Sequence, residues 1–277
     1  MLPNLVIIGA MKSGTSSLHH YLDLHPDIHM SERKELDFFV EELNWAKGRT
    51  WYESWFDSPA KVRGEASPNY TTYPLLQGVP KRMHSLVPDA KLIYLIRNPI
   101  ERMISHYIHA VYMKREARPA EEALADPDSV YLLRSRYFTQ IEQYLPYYGR
   151  ENILVLSSEE LLARRLETLK VVFRFVGVDE GFHSPAFDQI RHQSGRKTQV
   201  TRSGALLLAL SRPARPLLAM FGSLGASLAS KKKSLVYRPI PRPRPSEATR
   251  RLIAGRLADE VAQLRAFTGK PFEEWSL

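Results

Sequence analysis

Leu5-Val6-Ile7-Ile8-Gly9-Ala10-Met11-Lys12-Ser13-Gly14-Thr15-Ser16-Ser17 is the stretch whose reading decides the fold. Leu5 to Ile8 is a short, unbroken apolar run, the pattern of a strand buried on both faces of a parallel sheet. Leu18-His19-His20-Tyr21-Leu22 then carries helical apolar spacing. Between them, Gly9 to Ser17 is made of small and hydroxylated residues around a single lysine. A strand, such a turn and a helix together make a cradle for phosphate. The turn supplies inward N–H groups, the helix N-terminus a positive dipole, and Lys12 a full charge. Ser13, Thr15, Ser16 and Ser17 add hydroxyls. The spacing is not that of a Walker loop, which needs Gly-Lys-Ser/Thr after four residues; here the order is Lys-Ser-Gly-Thr. Taken alone, the nonapeptide also fits a plain strand-to-helix turn with a solvated lysine.

Outward from this stretch, apolar strands alternate with helical patterns. Leu24 to His29 reads as a turn into a second strand, and Arg63 to Tyr70 as a strand end running into a loop. Lys91 to Ile96 is the clearest buried strand, closed by Arg97-Asn98-Pro99, with Pro99 suited to a first helical turn. Asn152 to Leu156 is another parallel-type strand. Helices are expected over Leu75–Leu86, Ile100–Lys114, Ser135–Tyr148 and Leu161–Val176. Trp51, Tyr52, Trp55 and Phe56 read as an aromatic core face. The fold class is therefore α/β, a P-loop-type parallel sheet with helices on both faces. A single domain over 1–277 is expected, with a core over 1–200 and a basic, apolar helical insertion over about 201–245. An amphipathic helix over about 246–268, capped by Ser246, completes it.

Of 39 Lys and Arg against 30 Asp and Glu, 15 cations lie between Arg191 and Arg256, opposed there only by Glu247. The net charge of +9 is thus a property of the C-terminal quarter. That segment fits a peripheral membrane contact through 205–245, a lid over an anionic acceptor, or a solvated insertion packed on the core. No nucleic-acid recognition module accompanies the charge, so no nucleic-acid partner is expected. The chain has no cysteine, which removes disulfides, thiolate metal sites and cysteine nucleophiles. No secretory signal and no apolar run of ~20 residues is present, so a cytoplasmic location is expected, with membrane-peripheral contact as the alternative.

Arg97 stands at the carboxyl end of a buried strand, and Ser105 follows on the next helix. Ligands of doubly wound sheets bind at that edge, where Arg97 can grip a phosphate and Ser105 donate a hydroxyl. Equally, Arg97 can pair with a carboxylate and cap the sheet. Glu35, in the charged run Glu32-Arg33-Lys34-Glu35, reads first as a solvated surface residue. The histidines form no convincing metal set; His106 and His109 can meet on one helix, in a surface or packing role. No Asp ends a strand in Walker B fashion, so no metal is expected.

Four elements in this order, Lys12-Ser13-Gly14-Thr15, Lys34-Glu35-Leu36-Asp37-Phe38-Phe39, Gly64-Glu65-Ala66-Ser67-Pro68-Asn69-Tyr70 and Arg97 with Ser105, resemble those of sulfotransferases. The chain is similar to a bacterial member of the heparan-sulfate-type branch, over about residues 4–200 plus Phe272-Glu273-Glu274-Trp275. The resemblance implies 3′-phosphoadenylyl sulfate (PAPS) as sulfuryl donor, adenosine 3′,5′-bisphosphate as product, and no metal. It places Lys12 beside the bridging oxygen, backbone N–H groups of Ser13 to Ser16 on the 5′-phosphate, and Arg97 and Ser105 on the 3′-phosphate. Glu35 aligns with the catalytic glutamate, the base that takes the acceptor proton. Phe38-Phe39 would desolvate it, and Lys34 would oppose that effect. Arg196 and Lys197 stand for the family's C-terminal nucleotide loop. Two positions depart from the pattern: Ala66, where a lysine is common, and Asp37, where a histidine is common. The expected acceptor is a hydroxyl of a carbohydrate, glycolipid or small metabolite. A P-loop kinase using ATP and a basic adaptor for membranes or nucleic acid are the alternatives.

Overall fold

A computed structural model describes residues 1–188, 198–200 and 237–275. The order is β1 (Leu5–Gly9), α1 (Thr15–Asp23), β2 (Ile28–Met30), α2 (Gly48–Glu53), β3 (Val62–Ala66), α3 (Val79–Leu86), β4 (Lys91–Ile96) and α4 (Pro99–Tyr112). Then come α5 (Ala120–Ala125), α6 (Val130–Leu133), α7 (Tyr137–Glu142), β5 (Ile153–Ser157), α8 (Ser158–Ala163) and α9 (Arg165–Val176). A short β6 (Thr198–Val200) and β7 (Tyr237–Pro239) precede the long α10 (Glu247–Thr268).

Five parallel strands form one sheet in the order β2-β3-β1-β4-β5. Alternation along each strand sends side chains to opposite faces, and both faces are dry. Val6, Ile8, Leu92 and Tyr94 join one core with α7 and α10; Leu5, Ile7, Ile93 and Leu95 join another with α1 and α9. A third cluster ties α4, α5 and α6 to Ile253 and Leu257 of α10. The chain leaves β1 toward one edge of the sheet and returns on the other side at β4. The carboxyl ends of β1 and β4 therefore flank the crevice where such sheets hold ligands.

Local chemistry shifts several helix bounds. The helix expected from Leu75 begins only at Val79, after Gly78 in the left-handed region at φ 69°. The helix expected over Ser135–Tyr148 is regular only over Tyr137–Glu142. Leu161–Val176 is two helices, because Arg164 leaves helical geometry at φ −131° between α8 and α9. Ser157 and Glu160 form a reciprocal capping box that starts α8. Ser246 caps α10 as expected, accepting from the Thr249 N–H at 3.2 Å. Of the helical insertion expected over about 201–245, residues 201–236 lie outside the described residues, as do Arg196 and Lys197, while 237–245 are not helical but form β7 and an irregular, proline-rich run. The strands on either side of it pair antiparallel, Thr198 opposite Pro239 and Val200 opposite Tyr237, a pairing the sequence pattern did not signal.

Candidate active site

The loop after β1 is bound tightly to the sheet. The Ala10 N–H donates to Leu95 O at 2.6 Å, and the Ser13 N–H to Ala10 O at 3.1 Å. Ser13 was expected to aim its N–H at phosphate; that donor is instead spent inside the turn. Lys12 and Gly14 both take left-handed backbone, φ 73° and 94°. At Gly14 glycine adopts this freely, whereas at Lys12 a side chain is held in a costly conformation, as is common at functional sites. No side chain caps α1, which leaves its N-terminus open to an anion. Ser13 is buried, and its hydroxyl has no partner among the described residues.

A cleft of 260 Å³ opens over this loop. Lys12, Gly14, Thr15, Ser16 and Ser17 line one side, Lys34, Glu35 and Pro68 the other, with Met11 and His109 completing it. The Lys34 ammonium joins the two sides, donating to Thr15 Oγ1 at 3.3 Å and to Glu35 Oε1 at 3.2 Å. Glu35 itself is 55% exposed. The desolvation expected there falls elsewhere: Phe38 and Phe39 turn inward, Phe38 stacking on Tyr52 at 4.2 Å.

The corner carrying Glu35 is shaped from below. Glu35 and Asp37 also adopt left-handed backbone, φ 61° and 47°. Distant residues hold them there. The Glu35 N–H donates to Ala66 O, the Asp37 N–H to Ser67 Oγ, and the Phe38 N–H to Tyr70 Oη, at 3.0, 3.0 and 2.9 Å. Those hydroxyls in turn donate to one buried carboxylate, Glu65. Ser67 Oγ reaches it at 2.6 Å, Tyr70 Oη at 2.7 Å and Tyr52 Oη at 2.6 Å. With Glu65 ionised each hydroxyl proton points to the carboxylate, so Ser67 and Tyr70 must present lone pairs to the corner's N–H groups. Distances this short are those of charge-assisted bonds. Burial pushes the Glu65 carboxyl up to about 7, against the three hydroxyls, which lower it.

Asp37 is buried, and loss of water pushes its carboxyl up to about 6; the bond from Asn69 opposes this and the Glu35 charge adds to it. Asn69 Nδ2 donates to Asp37 Oδ2 at 3.0 Å, and Asn69 Oδ1 accepts from Arg134 Nη2 at 2.8 Å. The aspartate that departs from the family pattern is therefore connected to an arginine on another element.

Arg97 lies at the end of β4, 28% exposed and 4.0 Å from Glu101. Glu101 also accepts from Arg242, in the proline-rich run before α10. Arg97 is not among the residues lining the cleft over the β1 loop. Ser105 is buried on α4, and its hydroxyl has no partner among the described residues. Arg97 thus has a carboxylate nearby, and the helix that follows carries a serine unsatisfied among the described residues. His106 and His109 part company. His106 packs on Tyr131 at 4.9 Å, and burial with nearby Arg102 holds its imidazole far below the usual range. His109 lines the cleft.

Lys34, His109, Asn69 and Arg134 belong to this neighbourhood and were not singled out from sequence as site residues. Lys34 had a signal, adjacency to Glu35. The others come from segments whose patterns say only helix or loop. Among the described residues no group of His, Cys, Asp or Glu is arranged to hold a metal, and no helix is long and apolar enough to cross a membrane.

A parallel sheet with an open helix N-terminus, a lysine and orphaned hydroxyls at its switch point is an arrangement suited to an anion. The chain belongs to the sulfotransferase domain family, which it matches over residues 2–206. It is similar to mouse (Mus musculus) heparan sulfate glucosamine 3-O-sulfotransferase 5, 28% identical over 190 residues, covering 64% of this chain and 54% of that protein. It is also similar to the human (Homo sapiens) bifunctional heparan sulfate N-deacetylase/N-sulfotransferase 1, 32% identical over 197 residues, covering 64% of this chain and 22% of that protein. The chain thus spans about half the length, or less, of these curated relatives. The crystal structure of a sulfotransferase from Alicyclobacillus acidocaldarius aligns over 100% of both chains, with a TM-score of 0.70 and 25% identity. Family membership separates the chain from the ATP-dependent kinases that its phosphate loop left open.

Proposed function

We propose that this protein transfers the sulfuryl group of PAPS to a hydroxyl of a carbohydrate, glycolipid or small metabolite. The observation that carries the proposal is the shared cleft: Lys12 and Glu35 line the same 260 Å³, with Lys34 bonded to both of its sides. The residues suit the donor. The open N-terminus of α1 and Lys12 fit its 5′-phosphosulfate, and the unpartnered Ser13 hydroxyl is available beside them. Arg97 and the unpartnered Ser105 hydroxyl fit a second phosphate.

In this reading the acceptor hydroxyl gives its proton to Glu35 while its oxygen bonds to sulfur. The bond between sulfur and the 5′-phosphate oxygen breaks, and its electron pair leaves with adenosine 3′,5′-bisphosphate. Lys12 balances the charge gathering on that oxygen. Such a transfer is mainly positioning and charge stabilisation, which the fixed loop and corner supply. Calorimetry with adenosine 3′,5′-bisphosphate and transfer assays with labelled PAPS over an acceptor panel test the reading directly. Absence of bisphosphate binding at millimolar concentration would reject it. Glu35→Gln is expected to lower kcat by roughly 10²–10⁴-fold while bisphosphate affinity stays within about twofold. Undiminished turnover would remove Glu35 as the base.

A further inference from the structure

Two guanidinium groups stand behind the phosphate loop, and their bonds run to neutral acceptors. Arg102, fully buried, is well supplied: Ser135 Oγ at 2.8 Å, Met11 O at 3.4 Å, His106 Nδ1 at 3.5 Å, and Tyr131 O. Arg134 is not. It has two bonds, to Asn69 Oδ1 at 2.8 Å and to Met11 Sδ at 2.9 Å. A thioether is a weak acceptor, and a guanidinium carries five N–H donors. Its Nε is sealed from solvent and has no partner among the described residues. No carboxylate lies within ion-pair distance of Arg134 among the described residues, and its charges of opposite sign are the more distant Asp37 and Glu35. Loss of water pulls the group down to about 10, so it stays charged at neutral pH. The side chain is half-buried, its Nε sealed, and a cation so desolvated without a counter-charge is costly to a fold unless something else gains from it.

Its location says what gains. Arg134 follows α6, and its two bonds reach Met11, next to Lys12, and Asn69, next to Pro68. Met11 and Pro68 are walls of the cleft that Lys12 and Glu35 line. Through Asn69, Arg134 is also coupled to Asp37, on the acidic corner. It is not itself among the residues lining the cleft, but its guanidinium stands directly behind two of the walls, one from each side.

We infer that Arg134 is a ligand-contacting cation whose guanidinium holds the non-bridging oxygens of the sulfuryl group as it passes between Lys12 and Glu35. The inference rests on the sulfuryl-transfer reading of this cleft. No further reactant is required: sulfur exchanges the 5′-phosphate oxygen for the acceptor oxygen, the proton goes to Glu35, and the non-bridging oxygens keep their charge throughout. A fixed, poorly solvated guanidinium meets that charge without having to reorganise. Lys12 serves the departing oxygen and Arg134 the group in flight.

The bisphosphate product lacks the sulfuryl group, and this separates a ligand contact from a structural prop. In Arg134→Gln and Arg134→Met, which keep much of the side chain's bulk, kcat/KM for PAPS is expected to fall by about 10²-fold or more. Affinity for PAPS should fall at least tenfold while affinity for adenosine 3′,5′-bisphosphate stays within about threefold. Arg134→Lys should restore part of the loss. Equal weakening of both nucleotides would make Arg134 a support of the β1 loop, and a rise confined to the acceptor KM would make it an acceptor contact; either overturns the proposal, as does wild-type turnover. Should the wild-type protein itself bind no bisphosphate, the sulfuryl-transfer reading fails first, and the variants do not enter.

Discussion

The two sides of the cleft are built in opposite ways. The β1 loop is held by backbone bonds to its own residues and to the adjoining strand, Ser13 N–H to Ala10 O and Ala10 N–H to Leu95 O. The Glu35 corner is held by groups far along the chain, from Ala66, Ser67 and Tyr70. The first side is held mainly through its main chain, with Arg102 and Arg134 bonding Met11 from behind. The second is suspended from a buried charge, Glu65, through hydroxyls that relay its orientation. If the cleft transfers sulfuryl groups as proposed, a site assembled this way keeps its nucleotide grip while its base is displaced, and substitutions can be chosen to separate the two.

The largest effect is expected at the side held through its main chain. A Cβ on Gly9 would lie 2.2 Å from Thr71 Oγ1 and 3.0 Å from the Tyr94 ring. Gly9→Ala should therefore cost about 3 kcal/mol in urea unfolding, at the upper end of overpacking penalties. A cost under ~1 kcal/mol would mean that Thr71 gives way easily and the loop is less rigid than its bonds suggest.

Next comes the suspended side. Glu65→Gln places an amide N–H₂ among hydroxyls that now donate to a carboxylate, and should cost roughly 2 kcal/mol. Its functional signature is asymmetric: kcat falls, and bisphosphate affinity holds. Loss of both together would erase the distinction between the two sides. The same variant changes the pH dependence of stability. Burial raises the folded-state Glu65 carboxyl from 4.5 to about 7, so the folded protein binds its proton more tightly than the unfolded chain. The stability this gives is complete below 4.5 and is lost as pH rises through 7. In Glu65→Gln that decline should disappear from a series of unfolding curves.

The smallest effect tests the link between the sides. Asp37 ionises near pH 6, adding a negative charge close to the anion cleft. Relative to wild type, Asp37→Asn should bind bisphosphate about threefold more tightly above pH 7 and equally below pH 5, as expected for one screened charge. The ratio cancels the ligand's own titration. A ratio that stays flat with pH would place the Asp37 charge outside the reach of the ligand.

The same contrast explains what could be read in the sequence. The strand, loop and helix from Leu5 to Leu22 were legible because period, turn chemistry and lysine lie within a few residues of one another. Arg97-Asn98-Pro99 was legible for the same reason, and Pro99 does open α4, which Asn98 caps by accepting from the Glu101 N–H at 3.2 Å. Glu35 was reached only through resemblance, since its run looks like any solvated charge cluster. The Glu65 hub, Asn69 and Arg134 were not legible. Glu65's own bonds span only 2, 5 and 13 residues, but the links that give these groups their place at the site span 30 residues in Asp37 to Ser67, 32 in Asp37 to Asn69, and 65 in Arg134 to Asn69. No local period encodes such separations. Helix ends also escaped where one residue's backbone decided the matter, Gly78 before α3 and Arg164 between α8 and α9.

The pairing of β6 with β7 has a consequence for how this architecture diversifies. It clasps the chain on either side of residues 201–236 at one place on the body. Once two ends are clasped, doubling the length between them costs only about 0.6 kcal/mol of closure entropy. The five-stranded sheet, the phosphate loop and the Glu65 hub are all built from residues before Ser158. The clasp is in that sense a socket, whose two strands tolerate a change in the length of chain between them at little entropic cost.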